Sequence, residues 1–322
     1  MTGEAKTDYD DTRALDAVAI IGAGTMGRQI AALIAASGRP VRIWDADPGM
    51  LAAARERIAE ETRTLPDLPR YAHHQFTLKP PADLDAFLRR ITAAESLADA
   101  VAGADLVIEA VREDLDTKKT LFAELSRLAP DAILTTNSSS LPSSQIAPAV
   151  ADPGRLLNTH FFAPIWSRPM VELMGSGATR TEVMDAVEQF AKSLGLVTAV
   201  VRGDSKGFII NRVWRAVKRE SLRVVDEGHA DPADLDRLWM LFFGTPYGPF
   251  GIMDMVGLDV VSDIETSYQN VATDPADQPS AVLGEKLAAG DLGEKTGRGF
   301  YSHPEPEYVR PGWLTHKEGE ER

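Results

Sequence analysis

Ala17-Val18-Ala19-Ile20-Ile21-Gly22-Ala23-Gly24-Thr25-Met26-Gly27 is the stretch on which the fold of this chain turns. The apolar run reads as a buried strand, the glycines as a tight turn, and the small-residue stretch from Arg28 to Ala36 as a helix. In that setting G-x-G-x-x-G has a mechanism. Its first glycine permits the turn, its second lets backbone approach a pyrophosphate, and its third allows close helix–strand packing, with the helix N-terminus facing the phosphates. Gly22, Gly24, Thr25, Met26 and Gly27 are the expected cofactor loop. A second strand, Pro40-Val41-Arg42-Ile43-Trp44, ends on Asp45, 18 residues after Gly27. An acid there hydrogen-bonds the ribose 2′-hydroxyl and repels a 2′-phosphate, which favours NAD over NADP.

Outward from this unit, helical spacing covers Pro48 to Glu61 and Asp83 to Ile91, on either side of a stretch broken by Pro66, Pro69, Pro80 and Pro81. Asp105 to Ala110 and Ala132 to Thr136 read as buried strands, with a helix from Thr117 to Leu128 between them. Leu156 to Phe162 and Met170 to Met174 are short strands; Glu182 to Leu194 is a helix ended by Gly195, and Val197 to Arg202 a last strand. Strands alternating with helices predict a mostly parallel sheet covered on both faces. Near Gly203 the pattern becomes helical: Phe208 to Glu227, a helix capped by Asp231-Pro232, then Met255 to Tyr268 and Ala281 to Ala289. The expected architecture is α/β, a Rossmann-type dinucleotide-binding domain followed by an all-α C-terminal domain. Its divisions are a tail at 1–15, the NAD domain at 16–203, the helical domain at 204–302 and a loosely attached tail at 303–322, rich in Pro, Glu and Gly.

At 322 residues two domains are the natural expectation. With 34 basic against 48 acidic residues the net charge is −14, which argues against a nucleic-acid surface. No window approaches the roughly 18 uninterrupted apolar residues of a membrane span. The polar, acidic start has no apolar segment of signal-peptide type, and cysteine is absent. That excludes disulfides and thiolate metal sites and fits a reducing cytoplasm. No metal site is expected.

Of six histidines, His73 and His74 sit in the proline-rich insertion, His229 precedes a helix cap, and His303 and His316 are near the tail. His160 alone lies in an apolar strand at the sheet edge, where α/β sites gather. Twelve residues on, Glu172 is embedded in the apolar run Met170 to Met174. A buried carboxylate needs a partner, and a neighbouring imidazole is the obvious one. Such a pair fixes the histidine tautomer and raises its basicity, as a general base requires. On spacing alone, a plain structural histidine remains the alternative.

Four further motifs occur in order: Asn137-Ser138-Ser139-Ser140-Leu141, Thr159-His160-Phe161-Phe162-Ala163-Pro164, Lys206-Gly207-Phe208-Ile209-Ile210-Asn211-Arg212 and Lys295-Thr296-Gly297-Arg298-Gly299-Phe300-Tyr301. With the glycine fingerprint, the chain from about Asp16 to Ser302 resembles the L-3-hydroxyacyl-CoA dehydrogenase family. The resemblance implies NAD-linked oxidation of a secondary 3-hydroxyl and a homodimer through the helical domain. It implies that His160 is the general base, oriented by Glu172, that Ser139 hydrogen-bonds the substrate oxygen, and that Asn211 holds substrate and histidine in register. Glu113, Lys118 and Lys295 match cofactor contacts, and Ser139 belongs to the same region. Caps at helix starts are the plainer reading of Ser139 and Asn211, and solvated charges that of the other three.

Departures from the family's pattern bear on substrate. Ala163 stands where the family usually has asparagine, and Lys206 where it often has proline. Between 56 and 81 a typically lysine-rich segment has only Lys79, with Arg57, Arg63 and Arg70. Arg168 enters the loop between His160 and Glu172, where a guanidinium can bind a carboxylate bidentately. The leading expectation is a 3-hydroxyacyl thioester dehydrogenase, its substrate carried on CoA or on an acyl carrier protein. A dehydrogenase of a free polar hydroxy acid, resembling the carnitine and gulonate dehydrogenases, is the second. A catalytically silent NAD-binding protein is the third.

Overall fold

A computed structural model of the chain describes residues 14–64, 83–269 and 277–315. The insertion histidines His73 and His74, its four prolines, Arg70 and Lys79 lie outside those residues. The chain divides into two compact units, Met1–Ile209 and Ile210–Arg322. Residues 204–209 stay with the first unit although composition changes near Gly203, because Phe208 packs against Met174 and Val201 there.

In the first unit β1 (Val18–Ile21), β2 (Val41–Trp44), β3 (Ile91–Ala93), β4 (Leu106–Glu109), β5 (Ile133–Thr136), β6 (Leu156–Phe161), β7 (Met170–Gly175) and β8 (Val197–Val201) form one sheet. Its order is β3-β2-β1-β4-β5-β6-β7-β8, parallel throughout except for the antiparallel β6–β7 pair. Side chains of a strand alternate between faces, and β1 feeds two cores. Val18 and Ile20 join Ile30, Leu33 and Ile34 of α1 (Thr25–Ala36), Ile58 of α2 (Pro48–Thr64), Phe87 of α3 (Leu84–Leu88) and, farther along the same face, Val187 of α6 (Thr181–Ser193). Ala19 and Ile21 join Ala100 of α4 (Leu97–Val101) and Phe122 and Leu125 of α5 (Leu115–Leu128). Because both faces are covered, β1, β4, β5 and β6 are buried at every position.

The differences from the sequence expectation are local. The helix expected over 83–91 stops at Leu88, and Ile91 opens β3, which pairs with β2 through Val41 and Ile91. Three residues give too little periodicity to announce a strand. Helix α4 was equally hidden by its five-residue length.

The second unit holds α7 (Ile210–Asp226), α8 (Pro232–Phe243), α9 (Pro249–Val256), α10 (Leu258–Gln269) and α11 (Ala281–Ala289) among its described residues. Asp231 caps α8 by accepting the Asp234 N–H at 2.7 Å, with Pro232 in the first turn. Proline suits a first turn, so Pro249 starts α9 inside a stretch that reads as punctuation. Met255 and Val256 close α9 rather than open α10. The described part of the tail is packed: Tyr308 and Trp313 are buried with Tyr301, Phe250 and Met253, and His303 Nε2 lies 3.0 Å from Asp254 Oδ2. Aromatic side chains, not overall composition, decide its attachment.

Two buried aspartates tie main-chain segments together in this unit, and one of them supplies α9 with acceptors that its N-cap Gly248 lacks. Asp236 accepts the N–H groups of Phe250 and Gly251 and the Tyr301 hydroxyl. Asp254 accepts those of Phe300 and Tyr301. Burial pushes the Asp236 carboxyl up to about 6, against the pull of its backbone donors. A carboxyl raised on folding contributes stability below its unfolded value that is lost as pH rises through the folded one. Between about pH 7.5 and pH 5, the stability gap between wild type and Asp236→Asn should therefore widen in favour of wild type by about 1.4 kcal/mol. Urea unfolding at the two pH values measures it, and a gap that stays constant would show an ordinary carboxylate.

Candidate active site

The glycine loop follows β1 and is shaped by close approach. Gly22 donates its N–H to the Trp44 carbonyl at 2.8 Å, and a Cβ on Gly22 would stand 2.6 Å from the Ala110 carbonyl oxygen. A Cβ on Gly27 would overlap the Gly22 carbonyl. Gly24 differs, because nothing lies within 4 Å of the position its Cβ would take. It is the N-cap of α1 and supplies no side-chain cap, so the first turn presents main-chain N–H groups to open space. A pyrophosphate fits there. Asp45, half-buried at the end of β2, accepts the Ala23 N–H on Oδ2 at 2.6 Å and the Asp47 N–H on Oδ1 at 2.8 Å. A carboxylate held against the loop suits a ribose diol and opposes a phosphate. The residues present fit NAD.

The antiparallel register of β6 and β7 places His160 directly opposite Glu172. His160 Nδ1 lies 3.0 Å from Glu172 Oε2, and both side chains are buried. Glu172 Oε1 accepts the Ile209 N–H at 3.0 Å. The carboxylate therefore assigns the ring proton to Nδ1 and leaves Nε2 as the acceptor. Phe162 and Phe208 flank the imidazole, with ring centroids 4.2 Å and 4.9 Å away. The loop between the strands is anchored by Ile165 and Trp166 in the core and by the Ile165 N–H donating to Gln29 Oε1 of α1 at 3.0 Å.

A cavity of about 270 Å³ is lined by His160, Ser139, Asn137, Met26, Glu113 and Lys118, among others. It joins the glycine loop to the imidazole. Under it lies a layer of charge. Lys118 Nζ, fully buried, stands 2.6 Å from Glu109 Oε1 and 3.5 Å from Glu113 Oε2. Glu109 also takes the Thr136 hydroxyl and the Val111 N–H, both at 2.6 Å. Burial holds Glu109 above the usual carboxylate range despite Lys118. Burial would also raise Glu113, but the Ser138 hydroxyl, the Lys118 charge and the Ser140 N–H and hydroxyl together hold it below that range. Glu113 Oε1 further accepts the Ser139 N–H at 3.0 Å, so one carboxylate fixes the whole serine turn.

The structure thus brings together Gly22, Gly24, Thr25, Met26, Gly27, Asp45, Glu113, Lys118, Ser139, His160 and Glu172 within one unit. Arg168 is exposed on the β6–β7 loop, and its guanidinium donates to the Ala163 carbonyl rather than lining the cavity. Asn211 sits in the first turn of α7 and Lys295 is paired with Asp259, both within the second unit. Sequence reasoning missed Glu109 and Asn137. The signal that found Glu172, an acid inside an apolar strand, was equally present in Leu106-Val107-Ile108-Glu109-Ala110. Asn137 accepts the Phe161 N–H at 2.9 Å, a long-range tie with no local signature. Among the described residues no group of three His, Asp or Glu side chains is placed to hold a metal, and no helix is long and apolar enough to cross a membrane.

Comparison with known proteins identifies the family. Residues 17–205 match the NAD binding domain of 3-hydroxyacyl-CoA dehydrogenase, and residues 207–303 match its C-terminal domain. A 3-hydroxybutyryl-CoA dehydrogenase of Mycobacterium tuberculosis is 33% identical over 293 residues, covering 90% of this chain and 99% of that protein. The solved (S)-3-hydroxybutyryl-CoA dehydrogenase of Ralstonia eutropha superposes with a TM-score of 0.80 at 30% identity, over 91% of this chain and 100% of that one. A diketoreductase acting on dicarbonyl compounds does so with a TM-score of 0.80 at 31% identity, over 90% and 100%. The chain belongs to the 3-hydroxyacyl-CoA dehydrogenase family and is an NAD-dependent oxidoreductase acting on the CH–OH group of a 3-hydroxyacyl substrate.

Proposed function

We propose that this enzyme interconverts a short or polar 3-hydroxyacyl thioester and its 3-keto form, with His160 as general base. The observation that carries the reading is the His160–Glu172 pair, buried at 3.0 Å, with His160 lining the cavity shared with Met26 of the glycine loop. In the oxidative direction Nε2 takes the proton of the substrate hydroxyl. Glu172 stabilises the resulting imidazolium from the Nδ1 side. Bound NAD supplies the hydride acceptor. Ser139, held by Glu113, donates to the substrate oxygen, and Asn211 helps to hold the substrate, as the family resemblance implies. In the reverse direction the imidazolium returns its proton to the carbonyl oxygen. The cofactor contacts are the glycine loop, Asp45, Glu113, Lys118 and Lys295.

Substrate choice rests on the β6–β7 loop. Ala163 presents a methyl where the family pattern has an amide, and Arg168 on the same loop bonds to the Ala163 carbonyl. Two of the relatives are named for a hydroxybutyryl thioester, a short acyl group. The carrier is CoA or an acyl carrier protein. A free dicarbonyl or hydroxy acid is the second reading, favoured by the likeness to a diketoreductase. The absence of cysteine supports a reducing compartment, the cytoplasm.

The helical unit supports a homodimer. Leu238, Leu241, Phe242 and Phe243 of α8 are exposed, Phe242 at 82%, as are Val213 of α7 and Val260 and Ile264 of α10. Apolar surface of that extent favours a partner, and a second copy is the simplest one.

Four outcomes are expected. NADH should bind at least about tenfold more tightly than NADPH, equivalent to about 1.4 kcal/mol from Asp45 against a 2′-phosphate; fluorescence titration that finds equal affinities overturns this. His160→Ala should lower turnover at least about a hundredfold with NADH binding intact, and Glu172→Gln should act in the same direction. Either variant keeping half the wild-type rate would remove the pair from the chemistry. A long-chain 3-ketoacyl-CoA should show kcat/KM at least about tenfold below acetoacetyl-CoA or a carboxylate-bearing 3-keto substrate, within the roughly 10⁴–10⁸ M⁻¹s⁻¹ range of good pairs. Equal values, with an unaffected Arg168→Ala, would refute the substrate assignment. Light scattering at micromolar concentration should return twice the 34.9 kDa of one chain, not the monomer mass.

A further inference from the structure

Between β8 and α7 lies a turn that the chemistry above leaves unexplained. Phe208 has φ of 54°, a positive value shown by no other non-glycine residue among those described, and Gly207 before it has φ of 81°. A phenylalanine in this region is strained, because its Cβ crowds the backbone carbonyl. Such a conformation survives where its surroundings over-determine it, and it concentrates at functional sites. The surroundings here do so. The Ser205 hydroxyl donates to the Phe208 carbonyl at 3.1 Å, and the Phe208 N–H donates to the Ser205 carbonyl at 3.0 Å. The ring itself is 1% exposed, packed with Met174 and Val201.

Both products of this turn fall on the same pair. The Phe208 ring lies 4.9 Å from the His160 ring, on which Phe162 also packs at 4.2 Å. The next N–H, that of Ile209, donates at 3.0 Å to Glu172 Oε1, the oxygen that His160 does not use. With φ on the ordinary side the chain would leave in another direction, and ring and N–H would not converge. We propose that Phe208 is a positioning residue for the oxidoreduction: its left-handed turn locks Glu172 through the Ile209 N–H and the imidazole through its ring, so that Nε2 faces the substrate in one orientation. The inference rests on the reading of His160 as the base.

A packing role alone would change stability and cofactor binding together. A positioning role changes kcat and acts through Glu172. The test is steady-state reduction of acetoacetyl-CoA, or of the best substrate of the panel above, by the full-length chain. Phe208→Ala should lower kcat at least about tenfold while KM for the keto substrate and NADH affinity stay within about twofold. Phe208→Leu, which keeps a bulky side chain at the turn, should recover part of the loss. In a Glu172→Gln background the Phe208→Ala change should cost no more than about a further twofold, since the group it positions is already lost. Full additivity in that cycle overturns the inference, as does a Phe208→Ala enzyme within twofold of wild type or one losing kcat and NADH affinity together. If Phe208→Ala does not fold, Ser205→Ala, which unfastens the turn, carries the test: a kcat reduced at least about threefold at unchanged KM supports it and an unchanged kcat overturns it. A Glu172→Gln enzyme that keeps half its rate overturns the assignment of the pair and this inference with it. A slow Glu172→Gln beside a full-speed Phe208→Ala overturns this inference alone.

Discussion

A carboxylate and an imidazole removed from water together impose most of the local architecture of the first unit. The Glu172 carboxylate cannot be buried without a donor, because an uncompensated charge in the interior costs several kcal/mol even after relaxation, and His160 Nδ1 and the Ile209 N–H stand beside its two oxygens. Their pairing at 3.0 Å follows from the register that sets the two residues opposite one another across one strand pair. Parallel strands need a long crossover, whereas an antiparallel pair can be joined by a short loop. The β6–β7 pair is the antiparallel step of an otherwise parallel sheet, and it is the step that carries the two residues. The loop joining the strands then has to be immobile, which explains why Ile165 and Trp166 face the core and why Gln29 of α1 accepts the Ile165 N–H.

The floor of the cavity meets the same electrostatic problem with a cation. Lys118 sits between Glu109 and Glu113, and the two carboxylates respond in opposite senses. Glu109 is enclosed, so burial dominates. Glu113 faces the serine turn, whose donors outweigh its burial. The consequence is mechanical as well as electrostatic: Ser139 cannot drift while its own N–H and both neighbours are held by one anion. Preorganisation of that kind removes a reorganisation cost from any reaction that uses the serine hydroxyl.

What could be read in the sequence follows the range of the interactions. The strand–glycine–helix unit, the buried strands and the longer helices are local patterns, and their positions differ from expectation by a few residues at most. The pairing of His160 with Glu172 was legible because both are polar residues inside apolar strands. By the same logic Glu109, an acid inside the buried strand from Asp105 to Ala110, was legible and was passed over. β3 and α4 are too short to show a period. Tyr308 and Trp313 attach the tail through aromatic burial within a polar stretch, so composition misleads there. The Phe208 turn was out of reach altogether, because nothing in Lys206-Gly207-Phe208-Ile209 announces that the phenylalanine, as well as the glycine, takes positive φ.

On the proposed reading, cofactor and substrate are selected by different kinds of structure, and this bears on how the chain can vary. The glycine loop offers main-chain N–H groups and the space left by Gly24, with the Asp45 carboxylate held against it. Main-chain recognition is tied to the β1–α1 geometry and hence to the sheet itself. The β6–β7 loop is constrained differently. Ile165 and Trp166 are committed to the core, but Ala163 and Arg168 are exposed and bonded to each other, so they can be exchanged without loosening β6 and β7. On the reading proposed above, the sheet holds the chemistry, and the exposed Ala163–Arg168 pair lies outside that constraint. On the proposed reading, exchange at Ala163 or Arg168 would alter acyl preference and leave the His160–Glu172 pair in place.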